Sequence, residues 1–126
     1  MSLVGGKTPA EGNVFISDEP LCHYYGYRTW DWDEAAVVCR DLGYNHVKQI
    51  TGDSYFGEVP DWYMYSTRYL SCNGKEDTIA DCNSYSDYKH PCTKTTGAGV
   101  ICSHSKPSKS LGCFYELIFD SYKIIL

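Results

Sequence analysis

The sequence has no excess of basic charge: 11 Lys and Arg stand against 16 Asp and Glu, for a net charge of −5. Nucleic-acid binding wants a basic stripe, so that class is excluded first. No Cys-x-x-Cys pair and no His-x-x-x-His spacing occur. Zinc sites usually draw on such short-range pairs, so His23, His46, His90 and His104 carry no metal signature. There is no Asn-x-Ser/Thr sequon and no internal repeat. The opening MSLVGGKTPAEG lacks the apolar core of a signal peptide. The last segment, LGCFYELIFDSYKIIL, is apolar but carries Glu116, Asp120 and Lys123. It also falls short of the roughly 20 residues of a membrane span, so no direct membrane insertion is expected.

What the chain does have is cysteine. Seven fall in 126 residues, at positions 22, 39, 72, 82, 92, 102 and 113. The length suits one domain with a modest core. With metal spacing missing, this cysteine count reads as a disulfide framework in an oxidising, extracellular setting. A disulfide-rich chain that opens without a leader is expected to be a piece of a longer secreted protein or a trimmed one.

Periodicity gives one convincing helix, at about 33–42. Ala35, Val38, Cys39 and Leu42 fall at i, i+3, i+4 and i+7, with Asp33 as the expected N-cap and Gly43 as the stop. Cys39 therefore faces the core, and a buried thiol with no basic neighbour on its face is a poor nucleophile. NVFIS reads as a strand ended by DEP, and LCHYYGY as the start of another. YMYSTRYL is rich in strand formers. KEDTIADC reads as a second short helix, NSYSDYKHP as polar loop and GAGVICS as a final buried strand. SHSKPSKS is a linker by composition. The division is thus a domain over 1–103 and a linker with an apolar tail over 104–126.

Six cysteines alone allow about fifteen pairings, so spacing cannot give the connectivity. Resemblance adds to it. LVGGKTPAEGNVFI, WDWDEAAVVCRDLGY, YFG, CNGKEDTIADC and GAGVICS together resemble the scavenger receptor cysteine-rich (SRCR) domain, over residues 3 to 103. The resemblance implies an α+β fold, in which a small, curved antiparallel sheet cradles one main helix. It implies the six-cysteine pairing Cys22–Cys92, Cys39–Cys102 and Cys72–Cys82. Cys113 is left over, as a free thiol, a half of an intermolecular disulfide that would dimerise the chain, or an artefact of where the chain ends. Trp30 matches the family's tryptophan before the helix and is expected in the core. Trp32 and Trp62 sit among acidic residues and are expected partly exposed.

Many SRCR domains hold calcium, and here the chain departs from the family. The first family site takes two aspartates after the first cysteine and a glutamate before AGV; those places hold His23, Tyr24 and Thr96. The second takes an aspartate pair before the third cysteine, where this chain has Arg68 and Tyr69. Calcium needs several hard oxygen ligands. The expectation is no metal and no cofactor.

A catalytic site is not expected either. Asp31, Asp33, Glu34, Asp53, Glu58 and Asp61 read as helix-end or loop carboxylates, and Ser and His fall in no catalytic constellation. What remains is a binding surface. Eight of the twelve tyrosines cluster, at 24, 25 and 27, at 63, 65 and 69, and at 85 and 88. Tyr, Trp and Arg anchor protein interfaces. The candidate ligand contacts are Tyr24, Tyr25, Arg28, Trp62, Arg68 and Tyr69. Lys89, His90 and Lys94 flank Cys92 and can join a small basic spot. The reading is an extracellular interaction module for a protein or polyanionic ligand. Its rival is a non-catalytic accessory domain of a secreted enzyme, of lysyl oxidase-like or mosaic serine protease type.

Overall fold

Turn chemistry folds the first twenty residues on themselves. A computed structural model describes residues 1–23, 30–60, 69–85 and 93–104 of the chain. Strand β1 (Ser2–Gly5) returns antiparallel as β2 (Glu11–Ile16), which pairs with the two-residue β3 (Glu19–Pro20). Ser17 and Asp18 make that second turn with φ of 53° and 67°. A two-residue hairpin needs positive φ at both central positions, and Asp tolerates it. The DEP stretch therefore does not end the strand; Glu19 and Pro20 pair back onto Ile16 and Phe15. Leu21 and Cys22 do not start a new strand, and Cys22 makes one isolated bridge to Gly97.

Helix α1 (Trp32–Asp41) follows. Its N-cap is Asp31, two residues earlier than the pattern predicts. Asp31 and Glu34 form a reciprocal capping box, and the Asp31 carboxylate accepts from the Trp32 N–H at 2.8 Å. Asp33 falls in the first turn, so its carboxylate suits the helix dipole without capping it. Gly43 ends the helix at φ +95°, a conformation that costs other residues a steric clash.

Strand β4 (His46–Thr51) pairs with the last strand, β7 (Gly99–Ser103), which also pairs with β2. The sheet order is β1-β2-β7-β4, with β3 pairing the far end of β2 beyond β7, and every pairing is antiparallel. A register shift between Val47 and Gln49 bends β4. Strand β5 (Tyr69–Ser71) and β6 (Asn83–Tyr85) make a separate two-stranded sheet. The predicted second helix is one 3-10 turn, Ile79–Asp81, and the stretch read as polar loop from Asn83 opens with β6.

The core lies between α1 and one face of the sheet. Ala35, Val38 and Cys39 pack with Val14, Leu21, Val100, Cys102 and Leu70, and Leu42 closes the edge. Burying each such valine or leucine contributes roughly 1.5–3 kcal/mol. Side chains alternate along β7, so Val100 and Cys102 face the helix while Gly99 and Ile101 face away. Two disulfides staple this core: Cys39–Cys102 joins α1 to β7, and Cys72–Cys82 closes the loop between β5 and β6. No helix among the described residues is long and apolar enough to cross a membrane.

Candidate binding surface

Two segments carry five of the six predicted ligand contacts, a third carries Lys89 and His90, and the described residues that flank all three converge. The His23 N–H donates to Thr96 O at 2.7 Å, and the Val59 N–H donates to Lys94 O at 3.0 Å. His23 precedes residues 24–29, Pro60 precedes 61–68, and Thr93 follows 86–92. Tyr69 and Tyr85, at the other ends of the last two segments, are register partners in β5–β6. Tyr24, Tyr25, Arg28, Trp62 and Arg68 themselves lie outside the described residues, as do Cys92 and the tail with Cys113.

Ser54 locks this convergence. Its hydroxyl donates to Lys94 O and accepts the Gly97 N–H, both at 2.8 Å. Asp53 and Ser54 both hold a left-handed backbone, with φ of 52°. Asp53 is placed 3.8 Å from His23, between Oδ1 and Nδ1, and the His23 ring lies against Gly52. Thr96 is consumed locally: its hydroxyl accepts the Thr93 N–H at 2.9 Å and donates to Thr93 O at 3.0 Å.

Tyr69 corrects the sequence reading. It is 1% exposed and sits in the core beside Leu70, so it supports the small sheet and offers no surface to a ligand. Trp30 is buried as expected, and its indole N–H donates to Gly99 O at 3.0 Å. Trp32 is half exposed, also as expected.

The helix holds the disulfide loop through three polar side chains. Arg40 donates to Gly74 O and Glu76 O, and Asp41 accepts the Ile79 N–H at 2.9 Å. Glu34 is 5% exposed, and its two carboxylate oxygens accept the Asp31 and Cys72 N–H groups. Among the described residues, one group of three metal-ligating side chains comes together: Cys72, Glu76 and Cys82. Its two sulfurs are bonded to each other, and the Glu76 carboxylate already accepts N–H groups from Asn73 and Gly74. Those bonds, Asn73 first, hold Glu76 below its ordinary pKa.

Burial pushes the Glu34 carboxyl above its ordinary value of 4.5, against the pull of the N–H groups it accepts. The folded state therefore binds this proton more tightly than the unfolded chain. The Glu34 contribution is fully present below 4.5 and is lost as pH rises through its raised folded value. Glu76 acts with the opposite sign, but its window lies below 4.5. Glu34→Gln should thus lose stability at pH 5 more than at pH 7. Thermal midpoints of both proteins at the two pH values check this; an equal loss at both contradicts it.

A family model for the scavenger receptor cysteine-rich domain matches residues 4–103. The chain belongs to this family. The egg peptide speract receptor of Strongylocentrotus purpuratus is 32% identical over 103 residues, 80% of this chain and 19% of that receptor. The galectin-3-binding protein of Pongo abelii is 34% identical over 130 residues, 98% of this chain and 22% of that protein. The third SRCR domain of murine neurotrypsin superposes with a TM-score of 0.64 at 31% identity, covering 83% of this chain and 96% of that one. The chain spans about a fifth of the length of the curated relatives it matches. It is an SRCR domain of the extracellular, receptor type, a ligand-binding kind of module that is generally non-catalytic. The α+β fold and two of the implied disulfides are as the resemblance has them; Cys22 is also disulfide-bonded.

Sequence reading missed three residues. Glu34 reads only as a helix-end carboxylate and Arg40 shows no role, because their partners lie more than thirty residues away. Tyr55, which is 70% exposed, stands outside the tyrosine clusters and gives no local signal.

Proposed function

We propose that this SRCR domain binds a protein or polyanionic ligand without calcium and without catalysis. The binding residues would be Tyr24, Tyr25, Arg28, Trp62 and Arg68, on two of the three segments whose flanks meet at His23, Val59 and Thr93, with Lys89 and His90 on the third. That convergence carries the reading, because it gives residues far apart in sequence one shared base. Cys22–Cys92 would close the same end.

The calcium-free part rests on chemistry. The first family site would need two carboxylates where this chain has His23 and Tyr24, and His23 is already set beside Asp53. Thr96 spends its hydroxyl on Thr93. At the second site Tyr69 is buried. These residues do not supply the charged oxygen cage calcium prefers.

The test is calorimetry on the oxidised protein, first with calcium chloride and then with dextran sulfate in EDTA. The expected result is no calcium heat, and dextran sulfate binding that weakens several-fold in Arg28→Ala and Arg68→Ala with a shallower salt dependence. Calcium binding, or polyanion binding that EDTA abolishes, would overturn it. The rival reading, an accessory domain of a secreted enzyme, shares this surface chemistry and differs in the sequence on either side.

A further inference from the structure

The outer face of the sheet, away from α1 and bordering the converging flanks, holds a second built surface. Residues 52–57 fold across it as a pinned loop. The Tyr55 N–H donates to Gly52 O, the Gly57 N–H to Ser54 O, and the Asn13 amide to Gly57 O at 2.8 Å. The loop lifts Tyr55 into solvent, with the Phe56 ring set edge-on to it at 5.0 Å. A cleft opens on each side of Tyr55, of about 330 and 480 Å³, and Ile101 is common to both. The smaller is lined by Gln49 and Thr51, the larger by Lys7 and Glu11.

The lining chemistry selects a ligand class. Polar side chains stand on both sides of Tyr55. Glu11 is a carboxylate, and its Oε2 takes one N–H, from Lys7. Gln49 uses one amide N–H on Ile50 O and keeps its second N–H and its carbonyl oxygen for a ligand. The Thr51 hydroxyl is buried against Gly99 and out of a ligand's reach. Lys7 is the one cation of the lining, too little for a sulfated or phosphorylated polymer. A ligand that suits this surface brings several O–H donors, little charge, and an apolar face for an aromatic ring. A pyranose has all three: hydroxyls at its rim and C–H groups on its face.

We propose that the groove across Tyr55 binds a neutral oligosaccharide. One sugar ring stacks on Tyr55, and its hydroxyls reach Gln49 on one side and Glu11 on the other. This surface uses other side chains than the one that would take a protein or polyanion, although the 52–57 loop borders both, and it needs no cation.

The experiment is saturation-transfer NMR of the oxidised protein in EDTA with chitotriose, cellotriose and maltotriose. At least one sugar should show transfer to its ring C–H protons and bind wild type in the millimolar range or better. Tyr55→Ala should weaken it ten-fold or more, Tyr55→Trp should keep it, and Gln49→Ala should weaken it several-fold. Tyr55 is exposed, so its replacement should leave the Cys39–Cys102 and Cys72–Cys82 peptide map unchanged. Arg28→Ala should leave sugar binding intact, which separates failure here from failure at the other surface. No transfer from any of the three sugars, equal binding by Tyr55→Ala, or binding of dextran sulfate alone at this groove would overturn the proposal.

Discussion

Replacing Cys39 and Cys102 together by alanine is expected to remove about 4 kcal/mol of stability. The bond spans 63 residues, and the chain-entropy relation assigns a loop of that length a cost of this size in the unfolded state. Small domains have roughly 5–15 kcal/mol in all, so the variant should lie close to its unfolding midpoint at body temperature. Both cysteines are buried in the core, which makes the paired alanine change cleaner than leaving one thiol behind. The comparison is the Cys72→Ala, Cys82→Ala variant. Its loop spans 10 residues, and the same relation makes its loss smaller by about 1–2 kcal/mol. Equilibrium urea unfolding of both proteins decides the matter. If the two lose equally, the loop-length account is wrong here and local strain or packing sets the cost.

The second large effect belongs to Trp30. Trp30→Ala should cost about 3–5 kcal/mol, because it opens a cavity beside Val14, Val38 and Val100. Trp30→Phe should cost less: most of the volume stays, but Gly99 O loses the indole N–H, a change of about 1 kcal/mol. Gly99 itself is fixed by crowding, since a β-carbon there would run into the Thr51 hydroxyl and stand 3.0 Å from the Asn13 side-chain oxygen. Trp30 thus reads the backbone of β7 at the one position that has no side chain. Parallel unfolding curves for the two variants test the split. If Phe proves as costly as Ala, the hydrogen bond or the ring shape matters far more than volume.

The parts of this fold that repeat locally were legible in the sequence. The Ala35, Val38, Cys39, Leu42 stripe gives α1, and the GAGVICS run gives β7, because buried faces impose a period. The cap shifted by two residues because two aspartates compete, and only Asp31 has Glu34 three residues on to complete the box. Long-range polar contacts leave no such trace. Nothing near Arg40 announces that it will hold the carbonyls of Gly74 and Glu76, and nothing near Glu34 points to Cys72. The disulfide pairing came from the family resemblance and not from spacing. Tyr69 shows the limit of reading tyrosine as surface. In β5 it lies beside Leu70, and both are buried, so the strand's place in the fold outranks the residue's polar tip. At the candidate site, the convergence of three segments became visible only when His23 and Val59 were seen bonded to the Thr93–Thr96 turn.

The Cys39–Cys102 bond also sets how the domain bears tension. Cys102 lies one residue inside the end of β7, where the chain leaves the sheet. A pull on the chain beyond Ser103 meets this covalent link at once and passes through it to the last turn of α1. The strands and loops between the two cysteines are bypassed and cannot be drawn out while the bond lasts. On the other side Cys22 is disulfide-bonded as well, so the freely extensible stretch is the residues before Cys22, at most about 75 Å of chain. Arg40 and Asp41, which hold the disulfide loop from the same last turn of α1, stay within the shielded stretch. So do Tyr69 and Tyr85, which keep their register in the small sheet under load. A module built in this way can be tugged between its neighbours and still present the same face.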